Sequence, residues 1–291
     1  MTSNAANNSR TRMTRRRFLA AGASCAAGAL GLGGYSLAYE PRWPKLERPT
    51  IRLDKLPAAF DGFTMAQLSD LHRSEVVSVG YIERCIATAL ALKPDMILLT
   101  GDFVTHKAAY VHSIGPALKQ LAERVRTFAV LGNHDHWTGA STIEARLEDC
   151  GVEMMSNRAV RIERGGAGLW LVGIDDFMVG ADDLPKALRA ATSPGVRVLM
   201  AHNPDSIDDV AAAGVDLMIC GHTHGGQVAL PFIGPLIVPS IHGSKYAAGH
   251  YRVRGTQLYV NRGVGLISPP VRFGVRPEIT LLTLRGAAPC S

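Results

Sequence analysis

The chain has 291 residues, of which 47% are hydrophobic and 19% are charged, and this balance excludes an intrinsically disordered protein. Five arginines and no acidic residue lie in residues 1–38, so that of the formal charge of +6 only +1 belongs to the rest of the chain. A nearly neutral body argues against a protein that binds nucleic acid through an electropositive surface.

The amino terminus has the three parts of an export signal, namely a basic region, an apolar run and an end with small residues. Residues 14–19, TRRRFL, resemble the twin-arginine signal, which implies the twin-arginine export machinery as a partner. The uncharged run from Phe18 to Ala38 is also long enough to span a bilayer. Residues 1–38 are therefore predicted to be a signal peptide cleaved after Ala38, or an uncleaved anchor, and the protein is expected in the periplasm or cell envelope.

Four cysteines follow the signal: Cys85, Cys150, Cys220 and Cys290. Their spacing contains no C-x-x-C pair and matches no zinc framework. Cys85 and Cys220 are predicted to be small buried hydrophobic residues, while a disulfide remains an alternative in an oxidising compartment.

Short apolar runs and stretches of helical periodicity alternate after a linker, which is predicted over the proline-rich and charged residues 39–50. The folded domain then covers residues 51–291. The predicted strands are residues 63–70, 96–102, 127–135, 169–175, 196–205 and 215–224, and the predicted helices are residues 78–92, 108–124, 141–149 and 183–191. A hairpin around Arg254-Gly255-Thr256 and a closing strand over residues 277–284 follow. The alternation indicates an α/β protein with a mainly parallel or mixed sheet.

Polar side chains that can bind metals stand at the ends of five of these apolar runs. In chain order they are Asp70 with His72, Asp102, Asn133 with His134 and Asp135, His202, and His222 with His224. Each motif alone is weak evidence, but buried carboxylates and imidazoles are costly without a partner. Because ligands of open α/β sheets bind beyond the carboxyl ends of the strands, we expect these residues to converge at one edge of the sheet around metal ions.

The stretch CGHTHGG, residues 220–226, places two imidazoles among glycines. In extended backbone, residues i and i+2 point to the same side, so His222 and His224 are expected to face one metal cluster. Gly221, Gly225 and Gly226 are expected to let the chain bend sharply and approach the site closely.

The motifs D-x-H, G-D, G-N-H-D, a single histidine and G-H-x-H, in this order, resemble those of the calcineurin-like metallophosphoesterase superfamily. GHTHGGQ and NRGVG further resemble its exported bacterial branch of YkuE-like and YaeI-like phosphodiesterases. The resemblance extends over residues 63–284. It implies a metallophosphoesterase domain with a four-layer sandwich of two mixed β-sheets flanked by helices.

The same resemblance implies a centre of two divalent metal ions. One ion would be bound by Asp70, His72, Asp102 and His224, and the other by Asp102, Asn133, His202 and His222, with Asp102 bridging them. His134 would contact the leaving-group oxygen and Asp135 would orient it, with turn capping as the alternative role for Asp135. Oxygen and imidazole ligands without a thiolate favour Mn, Fe, Zn or Ni. Thr105, which stands where purple acid phosphatases have a tyrosine, argues against an Fe(III)–tyrosinate site.

The predicted function is that of a dinuclear metal-dependent phosphohydrolase, more specifically a phosphodiesterase in which a hydroxide that bridges the metals attacks the phosphorus. The expected substrate is a small-molecule or lipid-linked phosphoester, and no nucleic acid is expected. The alternative is a non-catalytic metal-binding protein of the envelope. The apolar, proline-broken residues 230–243 are a candidate lipid-facing wall or an ordinary hairpin, and association with the membrane surface is an additional expectation. His136 and Trp137 are candidates for substrate contact or for packing.

Overall fold

The computed structural model describes residues 14–286, which form two large β-sheets packed face to face with helices on both outer faces. The first thirteen residues of the predicted signal and Cys290 lie outside the described residues. The predicted α/β class and four-layer architecture are confirmed.

The described residues contain six α-helices and fifteen strands. The helices are α1 (Arg15–Gly34), α2 (Val79–Ala91), α3 (Tyr110–Arg124), α4 (Asn133–Asp149), α5 (Leu184–Arg189) and α6 (Ile207–Ala212). The strands are β1 (Lys45–Glu47), β2 (Thr50–Leu53), β3 (Thr64–Leu68), β4 (Met96–Thr100), β5 (Thr127–Val130), β6 (Glu153–Met154), β7 (Arg158–Arg164), β8 (Ala167–Gly173), β9 (Arg197–Met200), β10 (Leu217–Cys220), β11 (Ala229–Leu230), β12 (Gly234–Pro235), β13 (Gly249–Val253), β14 (Thr256–Val260) and β15 (Glu278–Gly286).

The first sheet has the strand order β1-β15-β3-β4-β5-β6, and β2 also pairs with β15. The strands β3 to β6 are parallel, and their register places Leu68 beside Leu99 and Thr100 beside Val130. The carboxyl ends of β3, β4 and β5 are therefore level with one another.

The second sheet has the order β13-β14-β10-β9-β8-β7, with β8, β9, β10 and β14 parallel and the edge strands β7 and β13 antiparallel to their neighbours. The hairpin predicted around Arg254-Gly255-Thr256 is the β13–β14 pair. A separate two-stranded ribbon, β11–β12, follows His222 and His224.

Three layers of apolar side chains hold these elements together. The central layer joins the two sheets, with Met65 and Phe128 of the first sheet in the same cluster as Leu171 and Ile219 of the second. The outer layers pack α2, α3 and α4 on the first sheet and α5 and α6 on the second. This burial is the main source of the free energy that stabilises the fold.

Several boundaries differ from the prediction. The stretch predicted as a linker, residues 39–50, contributes to the sheet, because β1 pairs with β15. The helix α4 begins at Asn133, eight residues before the start predicted for it, and bends at Gly139, whose φ is 138°. The strand β7 was not predicted. Among the described residues, Cys85, Cys150 and Cys220 are buried free thiols.

The amino-terminal helix stands apart from this packing. The helix α1 continues as a π-helical segment over residues 35–39 and a 3₁₀ turn over residues 40–42, and the side chains of α1 are almost all exposed. Within the described residues, the span Arg15–Arg42 is the one helix long and apolar enough to cross a membrane, a property that signal sequences share.

Candidate metal centre

The predicted metal-binding side chains meet where the two sheets face each other. Asp70, Asp102 and Asn133 follow β3, β4 and β5 of the first sheet, whereas His202 and the pair His222 and His224 follow β9 and β10 of the second. All six, together with His72, are buried. The expectation of one sheet edge was therefore wrong, because the cluster is built from the carboxyl ends of two opposed sheets.

The backbone at these positions is left-handed rather than extended. The φ values are 53° at Asp70, 45° at His72, 56° at Asp102, 71° at His222 and 51° at His224. The prediction that extended backbone would align His222 and His224 was wrong, because a left-handed residue turns the chain after each strand and directs the side chain inward. Such conformations are sparsely populated by non-glycine residues and cluster at functional sites.

Close backbone approach requires glycine at two positions beside the carboxylates. A Cβ at Gly221 would overlap Ser69 Oγ and Asp70 Oδ2, and a Cβ at Gly132 would overlap Asp102 Oδ1. The predicted need for Gly221 is confirmed, and its physical reason is the proximity of the two sheets.

The first group of ligand atoms joins Asp70, His72 and His224. The Nε2 atoms of His72 and His224 lie 3.1 Å apart, and His224 Nε2 lies 3.3 Å from Asp70 Oδ1. Ligand atoms bound to one tetrahedral ion at about 2.0–2.1 Å lie roughly 3.3 Å apart, so these separations fit a single ion. In the described part of the chain, Asp70 Oδ1 is buried and has no hydrogen-bond partner, which a cation would supply.

The second group joins Asp102, His202 and His222. Asp102 Oδ2 lies 3.2 Å from His202 Nε2, and His222 Nδ1 lies 3.2 Å from the same His202 Nε2. Asp102 Oδ2 also lies 3.3 Å from His72 Nε2 in the first group, so one oxygen borders both groups. Asn133 Oδ1 is buried and, among residues 14–286, has no hydrogen-bond donor.

Hydrogen bonds on the far side of two imidazoles fix which nitrogen faces the cluster. His202 Nδ1 donates to the carbonyl oxygen of Thr100 at 2.7 Å, and His222 Nε2 donates to that of Pro239 at 2.7 Å. The opposite nitrogens, His202 Nε2 and His222 Nδ1, are therefore the ones that face the cluster.

Burial lowers the pKa of the imidazoles in the cluster. It lowers the pKa of His72 and of His222 to about 3 and lowers the pKa of His224 well below its usual value, so these rings are neutral, which is the form that binds metal. Burial also lowers the pKa of His202, but the carboxylates of Asp102 and Asp70 outweigh it and raise that pKa well above its usual value.

His134 faces the proposed ligand atoms, whereas Asp135 does not. The ring of His134 borders the first group, with a nitrogen within 4.8 Å of ligand atoms of His72 and Asp102, and its Nδ1 donates to the carbonyl oxygen of Thr105 at 3.0 Å. Asp135 points away and accepts from the backbone amides of Phe103 at 2.9 Å and Gly132 at 3.1 Å. The prediction that Asp135 orients His134 needs correction, because the Thr105 carbonyl holds the ring and Asp135 caps the turn.

The next two residues, His136 and Trp137, have different contacts. Trp137 is exposed, and its ring centroid lies 5.0 Å from that of His134. His136 Nε2 instead lies 2.6 Å from Asp175 Oδ1, in the loop after β8.

Sequence reasoning missed one buried residue that supports the centre. Arg272 is fully buried, its guanidinium donates to the carbonyl oxygens of Arg262 and Gly265 at 2.9 and 2.8 Å, and it lies 3.3 Å from His224 Nδ1. The available signal was that Arg272 is the single charged residue within the apolar stretch 263–275.

Comparisons with known proteins agree with this geometry. A family model described as calcineurin-like phosphoesterase matches residues 63–226. The chain is 34% identical over 282 residues to the uncharacterized metallophosphoesterase YkuE of Bacillus subtilis (strain 168), covering 94% of this chain and 98% of that protein. It is 37% identical over 276 residues to the phosphodiesterase YaeI of Escherichia coli (strain K12), covering 94% and 99%. A transmembrane protein with metallophosphoesterase domain from Danio rerio is 29% identical over 272 residues, covering 88% of this chain and 61% of that protein.

Proposed function

The chain belongs to the calcineurin-like phosphoesterases, in the group of YkuE and YaeI, and from that membership we propose that it hydrolyses a phosphodiester outside the cytoplasm. As a member of this family it is a hydrolase with a centre of two divalent metal ions. The observation that carries the proposal is the position of Asp102 Oδ2, which borders both groups of ligand atoms, at 3.3 Å from His72 Nε2 and 3.2 Å from His202 Nε2.

The proposed ligands divide into two sets that share Asp102. Asp70, His72 and His224 complete the first set, and Asn133, His202 and His222 complete the second. The unpartnered oxygens Asp70 Oδ1 and Asn133 Oδ1 fall one in each set, which supports one cation in each. The absence of a thiolate among these residues favours Mn, Fe, Zn or Ni.

The charge of the ligands favours an anionic substrate. Two divalent ions bring more positive charge than the carboxylates of Asp70 and Asp102 neutralise, so the centre attracts a phosphoester and holds its oxygens. When bound, such ions supply a water nucleophile at neutral pH and stabilise the charge that develops on the phosphoryl group.

His134 is the proposed proton donor to the leaving group. Its Nδ1–H is held by the Thr105 carbonyl, so the Nε2 atom is free to carry a proton towards the leaving-group oxygen. General acid assistance of this kind contributes roughly 10²–10⁴-fold in rate.

An apolar cavity supports a lipid-linked substrate. The cavity measures about 300 Å³, and His224 forms part of its wall. The apolar side chains of Val228, Leu236, Ile237 and Ile267 also line it. Pockets of this size and character accommodate apolar parts of ligands, and here the pocket adjoins a proposed metal ligand.

The apolar amino terminus supports a role in the cell envelope. Residues 1–38 are proposed to direct the chain to the twin-arginine machinery, and the apolar helix α1 supports either a signal or an anchor.

A direct test uses the full chain, purified in detergent and loaded with Mn²⁺. It should hydrolyse bis(p-nitrophenyl) phosphate faster than the monoester p-nitrophenyl phosphate, and chelation should abolish both rates. A preparation that binds two metal ions per chain and hydrolyses neither compound under any metal would instead identify the alternative, a non-catalytic metal-binding protein.

A further inference from the structure

Residues 229–243, here called the apolar hairpin, expose an unusual amount of hydrophobic surface. The segment contains β11 and β12, and Phe232 at its tip is fully exposed. Ile237 is 79% exposed, and Ile233 and Ile241 are each 72% exposed. Contiguous apolar surface of this kind marks an interaction site in a soluble domain.

The apolar hairpin is fixed to the metal centre rather than loosely attached. The carbonyl of Pro239 accepts the hydrogen bond from His222 Nε2. Asp205, beyond β9, accepts from the hydroxyl of Ser240 and from the amide of Ile241 at 3.0 Å. Whatever binds the exposed side chains therefore lies beside the site of hydrolysis.

A short segment, residues 272–274, joins the base of the apolar hairpin to the end of the amino-terminal helix. On one side, the carbonyl of Phe273 accepts a hydrogen bond from the amide of Ala229 at 2.8 Å, and the amide of Phe273 donates to the carbonyl of Gln227 at 2.9 Å. On the other side, the amide of Arg272 donates to the carbonyl of Ser36 at 3.0 Å, and that of Gly274 donates to Glu40 at 3.2 Å. The helix and the hairpin thus leave the domain close to each other.

Aromatic residues mark the level at which the helix meets the domain. Tyr35, Tyr39 and Trp43 are exposed, and their ring centroids follow at 5.7 and 5.3 Å. Tyrosine and tryptophan are enriched at membrane–water interfaces. Because these rings follow the apolar helix directly, they place the edge of a lipid layer beside residues 272–274.

The charge of this part of the chain is suited to an anionic lipid surface. Lys245 is exposed just after the hairpin, and the guanidinium of Arg276 lies over the ring of Trp43, 3.5 Å from its centroid. Each basic side chain near an anionic surface contributes about 1 kcal/mol of attraction.

From this placement we propose that α1 is retained as an anchor and that the apolar hairpin inserts Phe232 and its apolar neighbours into the lipid surface that α1 enters. The partner is a bilayer with anionic headgroups, and insertion holds the metal centre at the membrane surface. This docking surface goes beyond the proposed hydrolysis and does not depend on it.

The test measures whether the hairpin tip contacts lipid. The full chain is reconstituted into vesicles of phosphatidylcholine and phosphatidylglycerol, with and without lipids brominated on the acyl chains, which quench tryptophan at contact. The variant Phe232→Trp adds one tryptophan to the three of the wild-type chain. We expect bromolipid to remove at least about half of the added emission, since an interfacial segment lies about 5–10 Å deep.

A matched variant supplies the control. Glu163→Trp places the added tryptophan at the exposed end of β7, which pairs with the start of β8 and so lies at the opposite end of the sandwich. Its added emission should be unaffected by bromolipid. Equal quenching of the two variants, or none at position 232, overturns the proposal, and Ile237→Trp serves if Phe232→Trp does not fold. The readout is independent of catalysis, so an inactive protein does not decide it.

Discussion

Five proposed metal ligands have a left-handed backbone conformation, which interactions in the surrounding structure must stabilise. A residue held in such a conformation costs on the order of 1–3 kcal/mol. Backbone hydrogen bonds between strand ends offset that cost, such as those from the amide of Asp70 to the carbonyl of Gly101 and from the amide of His72 to that of Asp102, both 2.9 Å. The ligands are thus positioned by the polypeptide before any ion binds, which is the arrangement expected of a preorganised site.

Replacing His134 by alanine should separate metal binding from turnover. The contact with Asp102 Oδ1 is made by the backbone amide of His134 at 2.9 Å, so it survives the loss of the ring. We expect His134→Ala to keep two metal ions per chain and to lose roughly 10²–10⁴-fold in kcat. Elemental analysis and hydrolysis of bis(p-nitrophenyl) phosphate measure the two quantities.

The control for this change is His112→Ala, since His112 is exposed on α3 and lies outside the cluster. That variant should match the wild type in both metal content and rate. The assigned role of His134 is wrong if its variant loses metal and keeps the rate.

Replacing Asp135, unlike replacing His134, should lower the stability of the fold. Removing its carboxylate leaves the buried amides of Phe103, Val104 and Gly132 without their acceptor. We expect Asp135→Ala to lower the free energy of unfolding by about 3 kcal/mol, which urea denaturation measures. A variant as stable as the wild type would show that Asp135 does not hold the turn.

At the scale of single elements, the glycines between the strands and the ligands are the sensitive points. A Cβ at position 221 would overlap Ser69 and Asp70, and the nearest atoms include a carboxylate that cannot move without disturbing the first ligand group. We expect Gly221→Ala to lower the free energy of unfolding by about 1–3 kcal/mol and to reduce metal content. Thermal unfolding and elemental analysis of the purified variant measure both effects.

The comparison variant is Gly255→Ala in the β13–β14 turn. An added Cβ there meets no atom within 4 Å, and Gly255 is not among the residues with positive φ. It should unfold as the wild type does, and equal losses in the two variants would contradict the steric explanation.

Elements were predictable where apolar periodicity was strong. The buried strands β3, β4, β9 and β10 are rich in apolar residues, and their sequence patterns therefore identified them. The strand β7 was missed because its residues, RAVRIER, are charged and mostly exposed. The strand β1 was missed because proline and charge dominate its surroundings, and its pairing with β15 depends on residues more than 200 positions away.

The candidate site was predictable in composition and less so in geometry. The motif order identified the ligand candidates, since each follows an apolar strand. The left-handed turns, the cap formed by Asp135 and the support from Arg272 depend on how two sheets approach each other. No local sequence pattern indicates how the two sheets pack, so these features could be found only from the structure.

At the scale of the whole molecule, the proposed centre connects two halves that are otherwise joined mainly by apolar packing. Asp70, Asp102 and Asn133 follow strands of the first sheet, and His202, His222 and His224 follow strands of the second. An ion in either group therefore bonds across the interface between the sheets. Unfolding must separate these ligands, so bound metal should stabilise the entire fold and not only the site.

Metal loading should accordingly raise the Tm of the full chain. A ligand that binds only the native state at about 100 times its Kd adds about 2.7 kcal/mol, and for a domain of this size each kcal/mol raises Tm by roughly 2–4 °C. We therefore expect a rise of roughly 5–10 °C for each ion that binds at this excess, measured by circular dichroism with Mn²⁺ against a chelated sample. His134→Ala should retain the full rise, because the ring is not a proposed ligand, whereas Asp102→Asn should lose most of it, because both ligand groups share that carboxylate. A Tm that does not respond to any divalent metal while the metal content rises would show that the ions do not bridge the two sheets.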